Sequence, residues 1–393
     1  MNTTIRRSSI DLYTDEAVLA PYGPYRELRD LGPAVWLEAH EVWAVARYDD
    51  VYAALHDHET FASGTGVGLS EDLNKVMAGS TIASDPPYHD HIRSVVGRPL
   101  TPRALRKHRE DVQRRADELV DRLVALGEFD GVTDFAQAFP LGLVPDLLGW
   151  PEEGREHFLA WAAAGFNALG PMNERATAGF ADLQGMLGYL NEMSVPGRLC
   201  PGSWGAQLVD AAGDGTITRE ILPTLLGDYL TPSLDTTIAT LSSALWLLGT
   251  HPEAFDALRA DPGLIPNAFN EVIRVESPVR GFSRLLTEDH EIGGVKLPEG
   301  SRALLLYASA NRDERRWANP EVFDVRRADA AGHVGFGHGV HGCVGQGLAR
   351  LEGHSLLGAL VRKVRRIEVG DAVWRPHNTI HGIAKLPAVF HAA

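Results

Sequence analysis

Ten residues, Phe336-Gly337-His338-Gly339-Val340-His341-Gly342-Cys343-Val344-Gly345, hold one of only two cysteines in a chain of 393 residues. Four glycines crowd around Cys343, and a helical pattern begins directly after it. Glycine permits tight turns and close backbone approach. A cysteine in such a loop, opening a helix, faces backbone N–H groups and the positive end of the helix dipole, which stabilise a thiolate. A single thiolate is a soft ligand, suited to an iron already held by a flat macrocycle. The plain alternative for Cys343 alone is a buried free cysteine beside a glycine-rich turn. The whole ten-residue pattern sets that alternative aside.

This segment resembles the haem-binding loop of the cytochrome P450 superfamily, Phe-Gly-x-Gly-x-His-x-Cys-x-Gly. Phe336, Gly337, Gly339, His341, Cys343 and Gly345 fill every specified position. The resemblance implies haem b as cofactor, with Cys343 as the iron ligand. It also implies a mainly α fold with a small β lobe, the haem lying between a long central helix and the cysteine loop. Length alone would allow two or three domains; the resemblance implies one domain over residues 1–393, with β-rich parts at roughly 20–60, 280–335 and 370–393.

Composition narrows the partners. The net charge of −15 argues against nucleic acid. There is no apolar run long enough for a membrane span, and residues 1–9 are polar and basic with no signal-peptide pattern. The expectation is a cytoplasmic protein that is not anchored to a membrane. Cys200 precedes Pro201-Gly202 and reads as a free loop cysteine, so no disulfide framework is expected.

Other motifs follow in chain order. Tyr22 to Leu31 reads as a helix stopped by Gly32-Pro33, followed by strand-like runs at 34–37 and 42–46 and a helix at 49–55. Residues 61–81 are rich in glycine and serine and read as a loop; by resemblance it covers the substrate. His89 and Arg93 stand four apart, on one helix face. The resemblance makes them haem-propionate ligands, together with Arg284 and His341. Arg98, Arg103, Arg106, Lys107 and Arg109 form a basic run suited either to solvent or to docking an acidic electron-transfer protein. Helical periodicity marks 111–126, 133–148, 152–169 and 173–193; the last two form the lid in relatives, with Phe158, Phe166, Asn167 and Leu169 as candidate contacts.

The longest periodic segment, 218–250, is apolar nearly all round and so predicts a buried helix, about 50 Å long at about 1.5 Å per residue. Within it stand Asp235 and Thr236. A buried acid beside an alcohol is costly unless used. The structural alternative is that Thr236 bonds its own helix carbonyl and Asp235 finds an ion-pair partner. The resemblance makes the pair a proton relay for oxygen activation, a general-acid role. Pro232 and Ser233 depart from the family pattern, and a mid-helix proline is expected to kink the helix. Glu271 and Arg274 lie three apart on a helix, a spacing that permits a bidentate pair; their expected role is structural, on the cysteine side of the haem. Residues 286–306 read as a small sheet, and 372–393 as returning strands.

By resemblance the activity is a haem-thiolate monooxygenase, using O2 with a separate ferredoxin and flavin reductase. Several stretches are similar to the bacterial branch that O-demethylates 4-methoxybenzoate. There an arginine and a serine help hold the carboxylate; Thr65 and Asp228 stand at the matching positions here. The loss of a cation and gain of an anion disfavour a benzoate and favour a compact neutral aromatic, such as a methoxyphenol. Thr65, Phe166, Asp228, Pro232, Val279, Phe282, Ser283 and Ile380 are the expected pocket residues. The alternatives are a haem-binding sensor or carrier and a peroxide-driven oxygenase.

Overall fold

The architecture is that of a computed structural model, which describes residues 6–393. The polar start read from the sequence therefore lies partly outside the described residues, at 1–5. Its spine is the helix Leu222–Thr250. Pro223 suits its first turn, so the helix opens four residues later than the periodicity suggested. Leu225, Leu226, Leu230, Leu234, Leu241, Leu245 and Leu248 point around its circumference and are all buried. The helices Phe158–Asn167, Phe180–Met193 and Ala138–Leu148 and the strand Val364–Val369 pack around it. The assigned helix runs through Pro232, which is exposed, without a break.

A six-stranded sheet gathers distant parts of the chain in the order Arg7–Ser8, Ala34–Leu37, Val42–Val45, Arg302–Leu305, Phe282–Leu286 and Phe61–Ala62. Val35 faces Ala44, Trp43 faces Ala303, Ser283 faces Leu304 and Phe61 faces Leu286. This pairing carries the segment after Ala62 across the front of Phe282–Leu286.

Two local expectations are corrected. Residues 61–81 are not loop throughout: Glu71–Val76 is a helix, capped by the Ser70 side chain on the Leu73 N–H, with Glu71 and Asp72 in its first turn. The final strands do not join the main sheet. Pro387–Ala392 lies between Val364–Val369 and Glu128–Asp130, and Val373–Trp374 pairs with Ile383–Lys385. A bridge from Val279 to Ile380, with the Arg280 N–H donating to Thr379 and the His381 N–H to Pro278, brings the C-terminal turn to the pocket side. Among the described residues no helix is long and apolar enough to cross a membrane.

Candidate functional site

Polar anchors hold the cysteine loop from behind. Glu271 and Arg274 are fully buried and form a bidentate pair at 2.7 and 2.8 Å. Arg274 also donates to the carbonyls of Asn311, Pro320 and Val322, and Arg327 donates to Glu271 at 2.9 Å. Asn311 in turn donates to Ser277 and accepts from the Val334 N–H, both at 2.8 Å. The pair therefore fixes the segment that enters the loop. The Cys343 N–H donates to the Phe336 carbonyl at 2.7 Å and closes it. Gly339 has φ +64, and a Cβ there would stand 2.3 Å from the Leu55 carbonyl oxygen, so no other residue fits. Gly337 shares the positive φ, and Gly345 stands just before the helix Gln346–Lys363.

The thiol is tuned by opposing effects. Burial pushes the Cys343 thiol up, against the Gly345 and Gln346 amides and the guanidinium groups of Arg93 and Arg350, which pull it down. The donors are present, and desolvation outweighs them. A positive metal would reverse that balance. Arg350 is a site residue the motif did not supply; its guanidinium lies 4.6 Å from the Phe336 ring centroid. Its position seven residues past Cys343, in the second turn of the helix Gln346–Lys363, was a readable signal.

Around the loop stand two histidines and two arginines with hydrogen-bonding capacity to spare. Residues 340–347 are all half-buried. His89 and His341 rings sit 4.5 Å apart, and each Nε2 is buried without a hydrogen-bond partner. His89 Nδ1 lies 2.9 Å from Asp90, so with Nδ1–H donating, Nε2 can also donate only in the imidazolium form. Arg284 is buried, belongs to no ion pair among the described residues, and donates to its neighbour Ser283's carbonyl at 2.8 Å. Arg93 donates to the Gly342 carbonyl. Burial lowers the His341 pKa, with Asp85 opposing at 3.8 Å. A buried cation without a counter-ion is costly. Two arginines and two histidines beside one thiol fit the two carboxylates and the iron of haem b. Among the described residues no cluster of three His, Cys, Asp or Glu could hold a metal ion.

One buried apolar cluster includes Val67, Phe166, Leu169, Ala239, Val279 and Ile380, with Phe282 and Ile82 packed against it. Phe166, Val279, Phe282 and Ile380 are thus brought together as expected pocket residues. Other assignments change. Ser283 is buried and donates to the Gly68 carbonyl at 2.7 Å, so its hydroxyl clamps the covering segment instead of facing a ligand. Thr65 is exposed, and only its carbonyl is engaged, by Arg302 at 3.2 Å. Asp228 is neither surface-facing nor ion-paired: Oδ2 accepts from the Thr81 N–H at 2.8 Å and its hydroxyl at 2.6 Å. Burial raises its carboxyl to about 6, against the pull of those two bonds. Arg302, which sequence reading passed over, is a buried strand cation spent on Glu71 and on the Gly66 and Thr65 carbonyls.

On the long helix, Thr236 donates to the Pro232 carbonyl at 2.7 Å, leaving its oxygen free to accept. Asp235 is buried and turned toward the C-terminal turn, where Oδ1 accepts from Arg375 at 3.0 Å. Burial raises its carboxyl while Arg375 lowers it.

The family description Cytochrome P450 matches residues 263–387. The chain is 41% identical over 384 residues to cytochrome P450 CYP199A2 of Rhodopseudomonas palustris, covering 96% of this chain and 93% of that one. It is 31% identical to 6-deoxyerythronolide B hydroxylase of Saccharopolyspora erythraea, covering 96% and 98%. The structure of cytochrome P450 CREJ in complex with (4-ethylphenyl) dihydrogen phosphate superposes with a TM-score of 0.87 at 28% identity, over 98% of this chain and 99% of that one. The chain belongs to the cytochrome P450 family, oxidoreductases that carry haem b and act as monooxygenases.

Proposed function

We propose that this chain inserts one atom of O2 into a compact neutral aromatic, by O-demethylation or hydroxylation, with methoxyphenols favoured over benzoates. Cys343 is the iron ligand, and His89, Arg93, Arg284 and His341 hold the propionates. Haem, when bound, supplies the oxygen-activating chemistry: two electrons and two protons reduce the second oxygen atom to water, and thiolate donation favours O–O cleavage. Asp235 and Thr236 move those protons, Asp235 as the titrating group and the Thr236 hydroxyl as an acceptor and donor beside it. The electrons come from a separate ferredoxin and flavin reductase. Arg98, Arg103, Arg106, Lys107 and Arg109 are exposed, and a side chain built at Gly97 or Gly347 would meet Val344 or Leu105, so the basic run borders the cysteine loop. An acidic protein would be steered there, at a rate that falls with salt.

The substrate reading rests on the charges around the covering segment. Asp228 brings a carboxylate to the Thr81 donors, and the buried cation of Arg302 is taken up by Glu71 and loop carbonyls. Among the described residues the buried cation at the covering segment is thus already engaged, and the apolar cluster of Val67, Phe166, Val279 and Ile380 suits a small ring. Optical titration of the haem-loaded protein tests this. Neutral methoxyphenols are expected to give the larger spin-state shift and the tighter binding. A shift of equal strength with 4-methoxybenzoate would sink the reading.

A further inference from the structure

Two buried atoms without partners face each other at the C-terminal turn. Asp235 Oδ2 and His377 Nε2 lie 3.7 Å apart, and neither has a hydrogen bond. The other ring nitrogen fixes the tautomer. His377 Nδ1 accepts from the backbone N–H groups of Thr379 and Ile380, each at 3.1 Å, so it carries no proton. Burial, with Arg375, Arg280 and Arg175 nearby, drives the ring's pKa well below the ordinary value. The ring is therefore neutral, with its proton on Nε2. The Ala163 carbonyl also faces His377 but lies outside hydrogen-bonding geometry with Nε2. That leaves an N–H donor directed at an unpaired carboxylate oxygen. The gap exceeds a hydrogen bond by roughly 0.8 Å, so the N–H dipole acts on the carboxylate electrostatically across it. On the other oxygen, Arg375 is 31% exposed along its side chain, so one residue separates Asp235 from solvent.

We propose that His377 is a positioning residue for proton delivery: its Nε2–H, locked by the 379–380 amides, steadies the Asp235 carboxylate beside Arg375, where it takes protons from solvent. This rests on the reading of Asp235 as proton donor given above. The ion pair with Arg375 opens, a hydronium proton binds the carboxylate oxygen, and the carboxyl releases that proton through water toward Thr236. No electrons move in this step. A ring locked at Nδ1 cannot relay the proton itself, so its contribution is orientation.

The test uses the haem-loaded protein with His377→Phe, His377→Gln, Asp235→Asn and the His377→Phe/Asp235→Asn double variant. Thermal unfolding is read first, apart from turnover. His377→Phe is expected to lower the melting temperature more when Asp235 is present than in the Asp235→Asn background. In turnover, kcat falls tenfold or more, up to the order of 10²-fold that a misplacement of about 1 Å costs, with KM and the substrate-induced spectral shift unchanged. The kcat pH profile moves, and His377→Gln, which keeps an N–H donor, recovers most of the loss. Additive melting shifts with an unmoved pH profile would overturn the inference. If His377→Phe does not fold, Arg375→Gln takes its place in the cycle, and an unmoved profile there counts equally against it. Asp235→Asn at full kcat overturns the donor reading as well; Asp235→Asn impaired with His377→Phe unimpaired overturns the positioning role alone.

Discussion

At the scale of single residues, burial sets the consequences. Arg274 is a guanidinium with no access to water, held by Glu271 and three carbonyls. Such a pair adds little net stability over an apolar replacement of both partners, but removing one partner strands a buried charge. Arg274→Leu leaves Glu271 with Arg327 and the Asp324 N–H and is expected to cost roughly 3–5 kcal/mol, read as a lower unfolding midpoint and loss of haem on purification. A variant that folds and retains haem like the wild type would contradict the anchoring role. Sequence spacing made this pair legible, because partners three apart on one helix are local. His377 and Arg302 were not legible. Their partners lie 142 and 236 residues away in the chain (377 − 235; 302 − 66), and no periodicity reports a contact that only the tertiary fold creates.

At the scale of elements, the link between the covering segment and the long helix is a single carboxylate. Asp228 is raised to about 6 in the folded protein, above an unfolded value near 3.9. Between those values the folded state holds a proton that the unfolded state has lost, so stability from this group falls as pH rises through that window. Its destabilising effect is fully present above about 6 and absent below the unfolded value. Asp228→Asn keeps an acceptor for Thr81 and removes the titration. The melting temperature of the variant relative to wild type is therefore expected to climb as pH rises across the window and then level off. A difference independent of pH would refute the assignment. Element boundaries tell a similar story of legibility. The helix Tyr22–Leu31 and the strand Ala34–Leu37 fall where their stop signals and patterns put them. Glu71–Val76 was hidden by the surrounding glycines, although Ser70-Glu71-Asp72 is a capping signal. The pairing of Pro387–Ala392 with Glu128–Asp130 was invisible because strand partners are chosen by the whole fold.

At the scale of the molecule, two half-sites meet around one place for the haem. The cysteine side is held by the buried polar groups Glu271, Arg274 and Asn311, with a basic rim in a chain of net charge −15. The other side is assembled from the long helix, the covering segment, the lid and the C-terminal turn, joined by hydrogen bonds from Thr81, Ser283, Arg302 and Thr379. The chemistry is set on the first side and the substrate on the second, which is why one loop motif revealed the reaction class and left the substrate to nonlocal contacts. The central claim is that Cys343 is the thiolate ligand. The reduced carbon monoxide difference spectrum tests it most directly, with Cys200→Ala as a control. The wild type and Cys200→Ala are expected to show the red-shifted Soret band of a thiolate-ligated haem, and Cys343→Ala to lose it. A Cys343→Ala protein that keeps the wild-type band would contradict the account.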